Sequence, residues 1–245
     1  MDKSSLFDRS YDEVNHIARW YADHRGRSEK TPDLLLIGGW AVYKHNPYTY
    51  SRDIDLVVNS KTRQSLVHWL RTQRGFVKER GAMGDQTVML RCPQGIINLD
   101  YVSTIAKNKF HGRKETLPFD IARQHSIVVD FKEGFLPIPQ RGPLFLLKLK
   151  ALYDRLNDIK TGTGDIEWLK LKVLKDRADI LALIHMERGA ESIDLGLVGK
   201  ELDRLAFLMA PLETVASDAE ACRFYGVPTE KAKQMMRTFL SLVRP

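Results

Sequence analysis

The sequence has little from which to build a disulfide or zinc scaffold. Its two cysteines, Cys92 and Cys222, make a single conceivable pair with no metal-ligand spacing. It also lacks any uninterrupted apolar run near the roughly 20 residues that span a bilayer. The opening MDKSSLFDRSYDEV carries no apolar signal core. A membrane span and a secreted disulfide domain are therefore excluded from the expectation, leaving a cytoplasmic protein with no membrane partner. None of the seven histidines stands four residues from another, so no helical histidine pair offers itself to a metal. Internal repeats and low-complexity tracts are absent as well. What is present is 43% hydrophobic and 28% charged residues, enough apolar material for a sizeable core. Lys and Arg number 38 against 31 Asp and Glu, a formal charge of +7 that hints at a polyanionic partner. The excess is uneven, with 22 basic and 16 acidic residues up to Phe145 and 16 against 15 beyond.

Periodicity divides the chain into two textures. Helical spacing of Val14, Ile17, Ala18 and Tyr21 predicts a helix over 12–23, with a polar loop at 26–32. Short strands are predicted at 34–37 and 54–58, with a helix start at 40–44 ended by Asn46-Pro47 and another helix over 62–73. Three further strands are expected at 76–79, 86–91 and 96–102. After Pro139 only helical patterns remain, at 143–157, 166–187, 194–208, 212–225 and 229–243. The expected fold class is α+β: an N-terminal domain over 1–140 with a small mixed β-sheet flanked by helices, then a C-terminal helical bundle over 141–245.

The chemistry concentrates in LLLIGGWAVYKHNPYTYSRDIDLVV, residues 34–58. A buried strand runs into Gly38-Gly39 and a helix start, and a second strand opens with Asp53-Ile54-Asp55. Alternate side chains of a strand share a face, so Asp53 and Asp55 are expected to project together, away from Ile54, Leu56 and Val58. Adjacent carboxylates repel unless a cation lies between them. Hard oxygen ligands of this kind suit Mg²⁺, which bridges carboxylates and substrate phosphates. Without side chains at Gly38 and Gly39 a triphosphate can approach the backbone and the helix amides. Asp100, on a strand whose other face carries Ile97, Leu99 and Tyr101, is a third candidate metal ligand, with Asp85 as its competitor. Were the two strands neighbours, the three acids would form a two-metal site that activates a hydroxyl and holds the leaving pyrophosphate.

Gly-Gly, thirteen intervening residues, Asp-Ile-Asp-Leu and a later strand Asp resemble the DNA polymerase β-type nucleotidyltransferase superfamily. The segments Lys148-Leu149-Lys150-Ala151-Leu152-Tyr153-Asp154-Arg155 and Lys175-Asp176-Arg177-Ala178-Asp179-Ile180 are similar to the Lys-x-x-Ala-x-x-x-Arg and (Arg/Lys)-Asp-x-x-Asp-(Leu/Ile) motifs of AbiEii/MenT-type nucleotidyltransferase toxins. Ser51 fits the Ser-x-Asp-x-Asp form seen there, or simply turns the chain before the strand. The resemblance spans about residues 34–182. It implies that Lys148 contacts nucleotide phosphates, with Lys150 an equally basic neighbour. It also implies that Asp176 is a second active-site acid, and that Arg155 and Asp179 either share that site or support it. Gly38, Gly39, Ser51 and Lys148 would hold the NTP (ATP among the candidates), and Asp53, Asp55 and Asp100 would hold Mg²⁺. A tRNA 3′ end as acceptor, a toxin–antitoxin role and a cognate antitoxin partner follow from the resemblance alone. The IGGWAV stretch is also similar to small-molecule nucleotidyltransferases that adenylylate antibiotics.

Lys107, Lys109, Arg113 and Lys114 form a basic run just after Asp100, with Phe110 set to stack on a base. The alternative is a plain solvated loop. A basic enzyme attracts RNA and repels a cationic aminoglycoside, which favours an RNA acceptor. Two other readings remain open: transfer of a nucleotide to a small molecule or protein hydroxyl, and a non-catalytic nucleotide- or RNA-binding module.

Overall fold

The computed structural model describes residues 4–25, 31–78 and 86–243. The chain forms two compact units, and neither is continuous in sequence. Residues 1–44, 50–106 and 118–139 make the first, and residues 45–49, 107–117 and 140–245 make the second. A single boundary near residue 140 therefore does not describe the grouping: two short stretches from the N-terminal part belong to the helical unit.

In the first unit, helix α1 (Ser4–His24) precedes strand β1 (Leu34–Ile37), helix α2 (Gly38–His45) and strand β2 (Ile54–Val58). Helix α3 (Ser60–Gln73) then leads to β3 (Val77–Lys78), β4 (Thr87–Cys92) and β5 (Gly95–Ser103). The sheet runs β1-β2-β5-β4-β3, antiparallel throughout except that β2 and β5 are parallel. α3 starts where Asn59 accepts a bond from the Thr62 amide, an N-cap made by the residue type that favours one. Its buried positions, Thr62, Leu66 and Leu70, recur at helical spacing, as do Val14, Ile17, Ala18 and Tyr21 of α1. The two helices meet through Trp20 and Trp69, whose rings lie 6.1 Å apart. Glu13 of α1 is fully buried, and Arg74 after α3 satisfies it with two bonds of 2.9 and 3.1 Å.

The segment after β5 holds structure that the pattern does not announce: a short α4 (Asp120–Gln124) and a hairpin of β6 (Ser126–Phe131) and β7 (Gly134–Pro139). Pro137 and Pro139 speak against a strand in a sheet interior, but a two-stranded ribbon has only edges, where proline is tolerated. β7 packs against α1 and β1. Gly134 makes this approach possible, since a Cβ there would stand 2.5 Å from the Ala18 carbonyl oxygen. Of the expected strand over 76–79, residue 79 lies outside the described residues, as do residues 26–30 of the expected loop and Asp85.

The second unit is built on the packed pair α5 (Arg141–Thr161) and α6 (Ile166–Leu183), followed by α7 (Leu195–Arg204), α8 (Met209–Val215), α9 (Ala219–Tyr225) and α10 (Thr229–Val243). The single helix expected over 212–225 is two, because the Asp218 carboxylate caps a new start by accepting from the Glu220 and Ala221 amides. The segment 45–49 is fastened here: the Asn46 amide donates to the Ala182 carbonyl at 2.9 Å and to the Tyr225 hydroxyl at 3.0 Å. No helix is long and apolar enough to cross a membrane, among the described residues.

Candidate active site

β1 ends at Ile37, and the chain turns at Gly38 with φ +67°, a left-handed backbone that favours glycine. The second reason for glycine is spatial. A Cβ at position 38 would lie 1.8 Å from Asp55 Oδ2 and 2.6 Å from its Cγ, so the carboxylate rests directly on the Gly38 backbone. Asp55 comes to this place because β1 and β2 are paired with Ile37 opposite Asp55. At the start of α2 the partial positive charge of the helix end is favourable to that carboxylate.

β5, beside β2 in the sheet, supplies the second acid. In the parallel β2–β5 pair Asp55 is in register with Asp100, so the two acids stand side by side on adjacent strands. Along β5 the residues Ile97, Leu99 and Tyr101 are buried while Asn98, Asp100 and Val102 are half-exposed, which confirms the alternation expected of this strand. Thr87 of β4 lies opposite Asp100 and donates its hydroxyl to Asp100 Oδ1 at 2.5 Å. Asp53 sits in the bend just before β2 rather than in the strand itself, with Arg52 Nε 3.2 Å from its Oδ1. That bend is held from both sides. The Ser51 hydroxyl donates to the Asp53 carbonyl at 3.1 Å, and the buried Ser10 hydroxyl donates to the Arg52 carbonyl at 2.7 Å while accepting from the Trp40 indole at 3.1 Å. Ser51 is buried and serves the turn.

Among the described residues no three His, Cys, Asp or Glu side chains already stand together as a closed metal-ligand set. The arrangement is open: paired carboxylates on two interior strands, one against a bare glycine backbone, and a third acid two residues upstream. This donor set fits Mg²⁺, which takes one or two carboxylates and completes its octahedron with water and phosphate oxygens. The repulsion between Asp55 and Asp100 gives the pair a reason to bind a cation.

The other expected site residues lie in the second unit. Lys148 of α5 places its ammonium 2.6 Å from Asp179 Oδ2 and 3.5 Å from Asp176 Oδ1, both on α6. Asp176 also pairs with Arg155, and Asp179 with Lys175 at 3.3 Å and the Tyr48 hydroxyl at 2.5 Å. Burial alone would raise the Asp179 pKa, but Lys148 and Lys175 overcome it and hold the carboxyl below its ordinary range. Burial depresses the Lys175 ammonium despite Asp179, and raises the Tyr48 phenol, with the Asp179 charge acting in the same direction. Lys150, the basic neighbour of Lys148, is buried against Asp154.

The basic run divides. Lys107, Lys109, Arg113 and Lys114 are exposed as expected, whereas Phe110 is only 2% exposed and packs edge-on against Tyr153 and Phe207. Phe110 therefore corrects the expectation of a free stacking ring, because apolar area closes around it inside the helical unit. Sequence reasoning missed Thr87 and the Ser10–Trp40 bonds. The Cys92–Gly95 turn was the available signal for Thr87, since counting back from it sets Thr87 against Asp100. Nothing local marks Ser10.

No known family's sequence pattern and no curated protein matches the chain. Among solved structures it is similar to an antigenic nucleotidyltransferase-like protein from Paracoccidioides brasiliensis. The two share 17% identity and a TM-score of 0.44 over 71% of this chain and 77% of that one. It is also similar to the antibiotic-resistance factor ANT(2'')-Ia, with 16% identity and a TM-score of 0.42 over 86% of this chain and 97% of that one.

Proposed function

We propose that the protein is a Mg²⁺-dependent nucleotidyltransferase that moves a nucleoside monophosphate from an NTP to an RNA acceptor. The observation that carries this reading is the pairing of Asp55 with Asp100 across β2 and β5, with the Asp55 carboxylate seated on Gly38. Two acids aligned on adjacent strands repel each other, and a divalent cation carrying substrate phosphates would offset that repulsion. Asp53, Asp55 and Asp100 would hold Mg²⁺, which when bound neutralises triphosphate charge and lowers the pKa of a coordinated hydroxyl. The Gly38 backbone carries the Asp55 carboxylate and Gly39 is buried at the start of α2, so the two glycines serve the site by seating that acid, and Ser51 with Ser10 and Trp40 keeps the Asp53 bend in place. The acceptor oxygen forms its bond to the α-phosphorus as the bond to the bridging oxygen breaks, and pyrophosphate leaves. The hydroxyl proton passes to Asp100, whose other oxygen is fixed by Thr87. The roles of Lys148 in phosphate contact and of Asp176 as a further acid belong to the same proposal and rest on the motif resemblance. So do the tRNA 3′ end as acceptor and a toxin role restrained by an antitoxin.

The basic balance favours RNA over a cationic small molecule as acceptor. Incubation with total tRNA, Mg²⁺ and each α-labelled NTP is expected to give labelled tRNA with at least one nucleotide. Asp55→Ala should lower the yield at least 100-fold. Label on a protein or small molecule instead would replace the acceptor, and equal transfer by Asp55→Ala would defeat the reading.

A further inference from the structure

The burial of Phe110 transfers the aromatic role to other residues. Its ring stands 5.6 Å from Tyr153 and 5.0 Å from Phe207, and those two rings are 5.0 Å apart. Tyr153 and Phe207 are themselves half-buried, and both line a cleft of about 370 Å³ in the helical unit. Lys160, Arg177 and Asn157 also line it. The basic loop forms its border. Arg113 donates to the Tyr153 hydroxyl at 2.8 Å and lies 3.9 Å over the Phe207 ring, and Gly112 abuts Asn157.

The charges around this cleft are unequally committed. Acids of the neighbourhood already have partners: Asp154 takes Lys150 and the His111 amide, Asp158 takes the His111 ring, Glu115 lies 3.5 Å from Arg113, and Asp218 takes Arg177. Lys107, Lys109, Lys114 and Lys160 are exposed and in ion pairs with none of the described acids. An aromatic wall with the uncommitted Lys160 in its lining and the basic loop joined to it through Arg113 suits a ligand that is planar and anionic at once, which describes a nucleotide of a single strand. The volume falls in the range of small-ligand sites.

We propose that this cleft seats a nucleotide of a single-stranded RNA, its base against Tyr153 and Phe207 and its phosphates toward Lys160 and Lys114, with Arg113 holding the two rings in place. The inference rests on the RNA-acceptor reading above, for which it names the surface that grips the acceptor.

The test measures binding apart from catalysis, by fluorescence anisotropy of a labelled single-stranded RNA dodecamer with the full chain and no NTP. Lys160→Glu and Lys114→Glu, both at exposed positions, should each weaken binding about fivefold or more. Each should also flatten the slope of log K against log salt by about 0.7. Phe207→Leu keeps apolar volume and should weaken binding roughly tenfold by removing the stacking face. Both charge variants binding within twofold of wild type would overturn the proposal. So would crosslinks from 4-thiouridine RNA that map away from Tyr153 and Phe207, or capture of polyglutamate in preference to RNA. Asp55→Ala should bind RNA as wild type does. Wild type that binds through the cleft but transfers no nucleotide removes the transferase reading and keeps the cleft. Transfer to RNA with an unchanged KM in Lys160→Glu removes the cleft and keeps the transferase.

Discussion

Replacing Gly38 by alanine separates two costs that the structure sets at one position. The first is backbone: φ +67° is left-handed, and a non-glycine residue there costs about 1–2 kcal/mol. The second is contact. The new Cβ would stand 1.8 Å from Asp55 Oδ2, where ordinary contact begins at 3.4 Å, so the carboxylate has to retreat by about 1.6 Å. A misplacement of ~1 Å in reacting groups costs on the order of 100-fold in rate. Gly162 supplies the control, since its φ is +68° and a Cβ there meets nothing within 4 Å. Gly162→Ala should therefore lose stability by the backbone cost alone and keep full activity. Gly38→Ala should unfold at a lower urea midpoint than Gly162→Ala and transfer nucleotide at least 100-fold more slowly. In an Asp55→Ala background the stability cost of Gly38→Ala should shrink without vanishing, because the Asp55 Cβ would still lie 2.9 Å from the new methyl. Urea titrations of the four variants with a single-turnover assay decide it. Equal midpoints for Gly38→Ala and Gly162→Ala, or wild-type activity in Gly38→Ala, would refute the placement of Asp55 against this turn.

The neighbouring acids give a prediction of opposite sign: in EDTA, Asp55→Asn should raise the melting temperature by relieving about 0.5–1 kcal/mol of repulsion with Asp100. Adding Mg²⁺ should stabilise wild type and leave Asp55→Asn nearly unmoved in a thermal shift series. Thr87→Val removes the bond to Asp100 Oδ1, so it should lower kcat about tenfold with KM for NTP little changed, at about 1 kcal/mol of stability in a chemical melt. Asp179→Asn leaves Lys148 and Lys175 facing a neutral group and should destabilise by about 3–5 kcal/mol. Because the folded Asp179 carboxyl is held below its ordinary range, its stabilisation is complete above the unfolded value of about 3.9. It is lost as pH falls through the lower, folded value. Urea midpoints between pH 7 and pH 3 should show that loss in wild type and a shallower one in Asp179→Asn.

The local pieces of the site were legible in the sequence because each is a short-range device. Strand 34–37, the glycine turn and strand 54–58 follow from apolar runs punctuated by Gly-Gly and Asn-Pro, and the structure repeats these bounds closely. The hairpin over 126–139 was hidden by its two prolines, which a ribbon tolerates and a sheet interior does not. Phe110 misled because four cations around an aromatic read as surface, while the rings that bury it come from α5 and from residue 207. The grouping of residues 45–49 with the helices depends on Asn46 and Tyr48 bonding to Ala182 and Asp179, partners that no local pattern names.

What brought positions 38, 55 and 100 together is register, and register has a sharp tolerance. The turn at Pro93-Gln94 fixes Cys92 against Gly95 and so sets Thr87 against Asp100. The parallel pairing of β5 with β2 then sets Asp100 against Asp55, and the antiparallel pairing with β1 carries Asp55 to Ile37 and the Gly38 turn. Side chains alternate faces along a strand, so a one-residue slip of β5 against β2 or β4 turns Asp100 into the layer of Leu99 and Tyr101. The buried residues forbid the slip: Ile54 faces Leu99, Leu56 faces Tyr101 and Val88 faces Leu99, all of them out of water. Burial of the apolar face is thus what holds the carboxylates in line on the other. The sequence shows both sets of residues but not which strand lies beside which, and that adjacency is what turns two separate aspartates, Asp55 and Asp100, into a candidate site.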